Sequence, residues 1–263
     1  MSWKYHVGKW FFIPLLPIMY VQGKRIKERI PGLPEAQGSK GSAENGHDRT
    51  IQLLTIGEST IAGVGVDTHQ DGFTGTLART IADTLPCNVR WRVYAKSGYT
   101  ADRVREKLIP LVEETHVDLI VIGIGGNDAF KLRSPGKWKR DVTELLKALR
   151  LRFPSPPIVF INMPPVKAFP AFTSLMKASI GNLVEILGEE LEELIKDWPG
   201  VHYYALKLNL KDWISRMNIE AEPSEFFSDG VHPSKLTYQI WAKDMAQFIL
   251  SRSVLSSQDG TGS

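Results

Sequence analysis

Four short stretches of the 263-residue chain carry side chains suited to hydrolysis: Gly57-Glu58-Ser59, Ser97-Gly98-Tyr99, Gly125-Gly126-Asn127-Asp128 and Asp229-Gly230-Val231-His232-Pro233. A serine hydroxyl is a weak nucleophile until a neighbouring base takes its proton. His232 is the candidate base, because an imidazole titrates near neutrality and can return that proton to a leaving group. Asp229 precedes it by three residues, with Gly230 between them to allow a tight turn. Its carboxylate can fold back on the ring, fix the tautomer and stabilise the imidazolium. A tetrahedral intermediate also needs donors for its oxyanion. The Ser59 N–H, a backbone N–H at Gly98 and the Asn127 side-chain amide can supply them.

Each stretch alone has an ordinary explanation. Ser59 could cap a helix, Gly-Gly-Asn-Asp could be a plain turn, and Asp-x-x-His is a common surface pairing. The case rests on their order and on the elements that must position them. Apolar runs at Ile51–Ile56, Val89–Tyr94, Val117–Ile124, Ile158–Asn162 and Val201–Tyr204 read as strands. The third, VDLIVIGI, is nearly continuous, as expected of a strand covered on both faces. Helical patterns lie between and after them, at Phe73–Thr84, Ala101–Thr115, Lys137–Phe153, Phe172–Trp198 and Ser234–Leu250, with Thr100 as the expected N-cap of the second. Such alternation predicts an α/β fold, a parallel sheet with helices on both faces. Ligands then bind beyond the carboxyl ends of the strands. Ser59, Gly98 and Asn127 follow the first three strands, and His232 precedes the last helix, so all four converge on one crevice.

Other chemistries lack their motifs. Position 61 is Ile, so the Gly-x-Ser-x-Gly elbow is absent. No Gly follows Gly123-x-Gly125 at position 128, and Gly57 to Gly63 lacks the Lys-Ser/Thr pair of a phosphate loop. The remaining histidines are scattered without ligand spacing, so no metal and no cofactor is expected. A net charge of +3, partly local to residues 24 to 29, is too small to suggest nucleic acid. The lone Cys87 excludes an intrachain disulfide and reads as a buried structural residue.

The blocks resemble those of the SGNH/GDSL hydrolase family, named for a serine, a glycine, an asparagine and a histidine. Here these match Ser59, Gly98, Asn127 and His232, with Asp229 as the carboxylate of the last block, over residues 50 to 250. The first block departs, with Gly57-Glu58-Ser59 where the family has Gly-Asp-Ser. The resemblance implies a flavodoxin-like three-layer α/β/α sandwich around a central parallel sheet. It also implies hydrolysis of carboxylic esters, from acyl lipids and simple esters to thioesters and acetylated sugars. Phe169 and Phe172, after the fourth strand, either line an acyl pocket or pack between loop and helix; Phe226 and Phe227 carry the same ambiguity. An acyl-lipid or small-acyl esterase is the leading expectation. A carbohydrate or cell-envelope O-acetyl esterase and a silent binding module of the same fold are the alternatives, Glu58 being the feature that favours the last.

The N-terminus adds a second element. Trp10 to Val21 is an uncharged apolar run of 12 residues, interrupted by Pro14 and Pro17 and followed by Lys24, Arg25, Lys27 and Arg29. A spanning helix needs about 20 residues, and no small-x-small cleavage site follows. The run reads as an interfacial or short signal anchor with a basic collar at residues 10–29, or as an arm packed on the domain. Were it to span, the basic flank would keep the main domain on the cytoplasmic side. The expected organisation is therefore an N-terminal segment at 1–30, a linker at 31–50 rich in Pro, Gly and Ser, the hydrolase domain at 51–250, and a polar tail at 251–263.

Overall fold

The computed structural model describes residues 3–30, 32–208, 210–216, 219–252 and 254–255. Six strands form one sheet: β1 (Lys40–Ala43), β2 (Thr50–Gly57), β3 (Asn88–Ala95), β4 (Leu119–Gly123), β5 (Ile158–Phe160) and β6 (Val201–Tyr203). Their order is β1-β3-β2-β4-β5-β6, parallel except for β1, which pairs antiparallel with β3. Helices α3 (Phe73–Thr84) and α9 (Lys235–Ser251) pack together, Phe73 meeting Trp241 edge to face. Helices α4 (Ala101–Lys107), α6 (Pro135–Arg152) and α7 (Ser174–Ile195) form the other packed group. Within it, Trp138 donates to the Leu187 carbonyl at 3.0 Å. The result is the expected α/β/α sandwich.

The central strands are apolar because both faces are covered. Every residue of β4 is buried, as are Leu53 to Gly57 of β2. Successive connections run outward from β2 to β3 on one side and from β4 to β6 on the other. The direction of the sheet therefore reverses between β2 and β4, and the crevice of such a sheet opens at that point. Ser59 follows β2 by two residues and Asn127 follows β4 by four.

Several stretches differ from the sequence expectation, among them a short helix α8 (Leu210–Arg216) where none was read. Residues 31–50, read as a linker, contain the edge strand β1. Gly41 permits it: a Cβ there would fall 2.3 Å from the Trp91 ring. A four-residue strand of Lys-Gly-Ser-Ala has no apolar alternation to announce it. The helix expected to reach Thr115 ends at Lys107, and Ile109–Leu111 continues as one 3-10 turn with Pro110 at its start. In the tail, Val254 and Leu255 are buried, and the Leu255 carbonyl accepts from Arg49; residues 256–263 lie outside the described residues.

The N-terminal run is helical. Helix α1 (Trp3–Phe12) and helix α2 (Leu16–Arg29) are joined by a 3-10 turn containing Pro14, and Pro17 occupies the first turn of α2, where a missing N–H costs little. Helix α1 packs on α7, and Met19 of α2 is buried. Among the described residues no helix is long and apolar enough to cross a membrane.

Candidate active site

The Asp229 loop forms the arrangement read from its spacing. Asp229 Oδ2 lies 2.7 Å from His232 Nδ1, and its Oδ1 accepts the N–H groups of Val231 (2.9 Å) and His232 (2.7 Å). The Asp229 side chain is fully buried, whereas 24% of the His232 side chain remains exposed. Burial pushes the Asp229 carboxyl up. The hydrogen bonds from the ring and the two backbone N–H groups outweigh it and hold the carboxyl below its ordinary range. A carboxylate so held commits Nδ1 to carrying the proton, which leaves Nε2 as the basic nitrogen.

Ser59 stands on the turn after β2, and that turn is fastened to the histidine loop. The Ser59 carbonyl accepts from Val64, and the Val64 carbonyl accepts from the Tyr238 hydroxyl of α9 at 2.8 Å. Ser228 Oγ donates to the Gly65 carbonyl at 3.1 Å. A Cβ at Gly65 would sit 2.5 Å from the Pro233 carbonyl, so only glycine lets the two loops approach this closely. Among the described residues neither the Ser59 hydroxyl nor its N–H has a hydrogen-bond partner within the protein.

Glu58 settles how the first block is braced. Its buried carboxylate accepts from Gly126 N–H (2.8 Å), Asn127 N–H (2.9 Å) and Asn127 Nδ2 (2.7 Å). Those donors are the start of the short helix α5 (Gly126–Phe130). Glu58 thus ties the serine turn to the Asn127 turn across the β2–β4 switch. Burial raises its pKa to about 7, against the pull of the three donors; Asp128 adds to the rise. One hydrogen of the Asn127 amide is spent on Glu58, and the other is available to a ligand.

Gly98 is exposed, with φ of +82°, and open space surrounds it. Its N–H has no acceptor among the described residues, and its carbonyl accepts from Lys131 at the end of α5 (3.1 Å). Two carboxylates whose partners sequence reading missed hold this loop. Glu35, in the stretch taken for a linker, accepts from Ser97 N–H at 2.7 Å and pairs with Lys96 at 2.9 Å. Asp128 Oδ2 accepts from Ala101 N–H at 3.0 Å. Thr100 occupies the N-cap position of α4, but its hydroxyl turns to Asp102 and Asp128 serves the first N–H instead. Burial lifts the Asp128 carboxyl to about 7, against the Ala101 bond, with Asp102 and Asp141 adding to the rise.

The phenylalanines form one aromatic chain. Phe130 meets Phe172 at 5.8 Å, Phe172 meets Phe169 at 5.4 Å, and Phe169 meets Phe227 at 5.6 Å between ring centroids. Phe169 and Phe227 are buried, so they pack behind the surface; Phe172 and Phe130 are the partly exposed members. The Gly230 carbonyl accepts from Ala171 N–H at 3.1 Å, which sets this chain beside the histidine loop. Phe130 was legible only once α5 placed it there. Cys87 is buried and free, and among the described residues no cluster of His, Cys, Asp and Glu could hold a metal ion.

The family model for the GDSL-like lipase/acylhydrolase family matches residues 55–240, a span reaching from β2 through the Asp229-x-x-His232 block into α9. The chain belongs to that family. It is 29% identical over 115 residues to the esterase TesA of Pseudomonas aeruginosa, a match covering 43% of this chain and 55% of the relative, so about half the relative's length. Among solved structures, the crystal structure of TesA superposes with a TM-score of 0.58 at 18% identity, covering 78% of this chain and 99% of that one. A Clostridium thermocellum family 3 carbohydrate esterase gives 0.58 at 16% identity, covering 81% and 100%. A lipase from a goat rumen metagenome, Lip_vut3, gives 0.54 at 19%, covering 74% and 95%. These likenesses, all at 19% identity or below, establish the fold.

Proposed function

We propose that this chain is a serine esterase that hydrolyses carboxylic esters through an acyl-enzyme intermediate. The observation that carries the reading is the buried Asp229 carboxylate bonded to His232 Nδ1 at 2.7 Å, on a loop locked to the turn that bears Ser59. His232 Nε2 takes the hydroxyl proton as Ser59 Oγ attacks the ester carbonyl carbon. The resulting oxyanion accepts from the Ser59 N–H, the Gly98 N–H and the second hydrogen of the Asn127 amide. Collapse breaks the carbon–oxygen bond to the alcohol, which leaves with the proton from His232. Water, deprotonated by the same nitrogen, then releases the acid and restores Ser59. Phe172 and Phe130 border the acyl side.

The substrate we favour is an acyl lipid met at a membrane surface. Helices α1 and α2 support it: Trp3, Trp10, Phe11 and Tyr20 are 72, 82, 70 and 75% exposed, and Lys24, Arg25, Lys27 and Arg29 follow on α2. Aromatic side chains beside a basic cluster suit the interface of an anionic bilayer. The cytoplasmic leaflet has that charge, and we place the protein there.

The purified protein and its Ser59→Ala variant would be assayed on an ester series from acetyl to long acyl chains. Activity in the wild type alone supports the esterase; equal rates in both refute it. A preference for acetyl would replace the lipid reading with an O-acetyl esterase. Sedimentation with anionic and neutral vesicles tests the membrane contact directly.

A further inference from the structure

A second cleft, of about 610 Å³, lies between the N-terminal helices and α7 and shares no lining residue with the esterase crevice. Its volume falls in the range of about 300–1,000 Å³ typical of small-molecule sites. Side chains from α1 and α2, including Tyr5, Phe12, Leu16 and Met19, face Leu183 and Ile186 of α7 across it. Met19, Leu183, Ile186 and Ser179 are buried, while Lys9, Asn182, Glu189 and Lys207 are exposed. The cleft therefore has an apolar floor and a polar rim. Lys207 is committed to Glu185 at 3.0 Å, whereas Lys9 has no carboxylate within ion-pair distance among the described residues.

We infer that this cleft binds one unbranched acyl chain of an amphiphile, with its anionic head at the rim near Lys9. The ligand class rests on the interfacial reading of α1 and α2 given above: the helices that wall the cleft also carry the exposed aromatic face and the basic cluster. A bilayer would thus present chains to the cleft where the protein touches it. An apolar floor without a buried charged group suits a hydrocarbon chain, and the charged side chains stand only at the rim. Leu132, two residues past α5, also lines the cleft, and its backbone takes φ of +52°. Gln22 of α2 meets Thr173 Oγ1 at 2.7 Å, one residue from Phe172. Helix α2 therefore touches both the cleft and the loop that bears Phe172.

Gly8 provides the test. It lines the cleft, and a Cβ there would meet only Phe12 Cδ2, at 4.0 Å. Gly8→Phe therefore fills the cavity while favouring the helix that bears it. Displacement of a fluorescent polyene fatty acid by octanoate, decanoate and dodecanoate would be measured on the full chain. Wild type and Ser59→Ala should bind equally, with affinity rising about fourfold per added methylene. Gly8→Phe should bind at least tenfold more weakly. Unchanged binding in Gly8→Phe, no binding by wild type, or loss of binding in Phe172→Ala would overturn the inference, the last because the chain would then sit in the esterase crevice. Vesicle sedimentation of Trp10→Ala separates the two readings. Failure of the wild type to bind vesicles refutes the interfacial arm, whereas failure of the fatty-acid titration refutes the cleft.

Discussion

Replacing Glu58 with glutamine removes a charge and one acceptor from the joint between the serine and asparagine turns. The carboxylate receives three N–H groups and offers both oxygens to them. An amide has one oxygen. Turned to the Asn127 pair, it leaves its NH₂ group facing the Gly126 N–H, and one buried donor is orphaned at a cost of about 1–3 kcal/mol. The pH dependence separates this loss from the ionisation. Glu58 rises from its ordinary 4.5 to about 7 on burial. At 1.36 kcal/mol per unit, that rise is worth about 3 kcal/mol. A carboxyl whose folded pKa is raised binds its proton more tightly when folded. Its stabilisation is complete below about pH 4.5 and is lost as pH rises through 7. The wild type should therefore lose about 3 kcal/mol, most of it between pH 5 and 8, that Glu58→Gln does not lose.

Urea unfolding of both proteins at pH 5, 6, 7 and 8, followed by tryptophan fluorescence, measures this difference. Asp128 also titrates near 7 but is common to both proteins and largely cancels on subtraction. Two stability curves that stay parallel within about 1 kcal/mol would refute the account of Glu58 as a buried, proton-retaining carboxyl. Activity gives an independent reading. Asn127 is held by the same carboxylate, so kcat of Glu58→Gln should fall while Ser59 remains reactive to a small phosphonate.

Three further outcomes follow from the same geometry. Asn127→Ala should lower kcat by about 10²–10³ with little change in KM, because the lost donor acts on the oxyanion rather than on the bound ester; steady-state assays on a short-chain ester check this. Asp229→Asn should lower kcat by roughly 10⁴ with the fold intact by circular dichroism, since the amide reverses the tautomer that the 2.7 Å bond imposes on His232. Glu35→Ala should lower kcat about tenfold, the equivalent of 1.4 kcal/mol, by freeing the Ser97 N–H and with it the Gly98 loop; an unchanged kcat would show that Lys131 and Asp128 hold that loop without Glu35.

The sheet was legible where chemistry repeats along the chain. VDLIVIGI must be covered on both faces, and β4 is buried throughout. The Asp229 loop was legible for a different reason: the residues that bond are three apart, so spacing alone brings them together. Contacts closed over long separations left no local trace. Glu35 and Ser97 are 62 residues apart, Glu58 and Gly126 are 68 apart, and Val64 and Tyr238 are 174 apart. Glu58 could be marked as a departure from Gly-Asp-Ser, but its partners could not be read. Phe169 and Phe172 look alike in sequence and differ in the fold, one buried and one partly exposed, on either side of the turn closed by the Phe172 N–H to Phe169 carbonyl bond.

The added methylene of Glu58 has a physical consequence for how this site is built. The carboxylate reaches past its own turn to the first N–H groups of α5, so the serine and asparagine loops share one acceptor. Asp128, the next residue along that helix, turns the other way and accepts the first free N–H of α4, the helix that follows Gly98. Two buried carboxyls, one on each side of Asn127, therefore link the three loops that follow β2, β3 and β4. Burial drives both to about 7, so the same two groups that position the proposed oxyanion donors change charge in the range where an imidazole ordinarily titrates. The positions of the donors and the protonation of the site are set by one hydrogen-bonded chain, Ser59 turn to Glu58 to α5 to Asp128 to α4, and a change at either carboxyl should be felt at both ends of it.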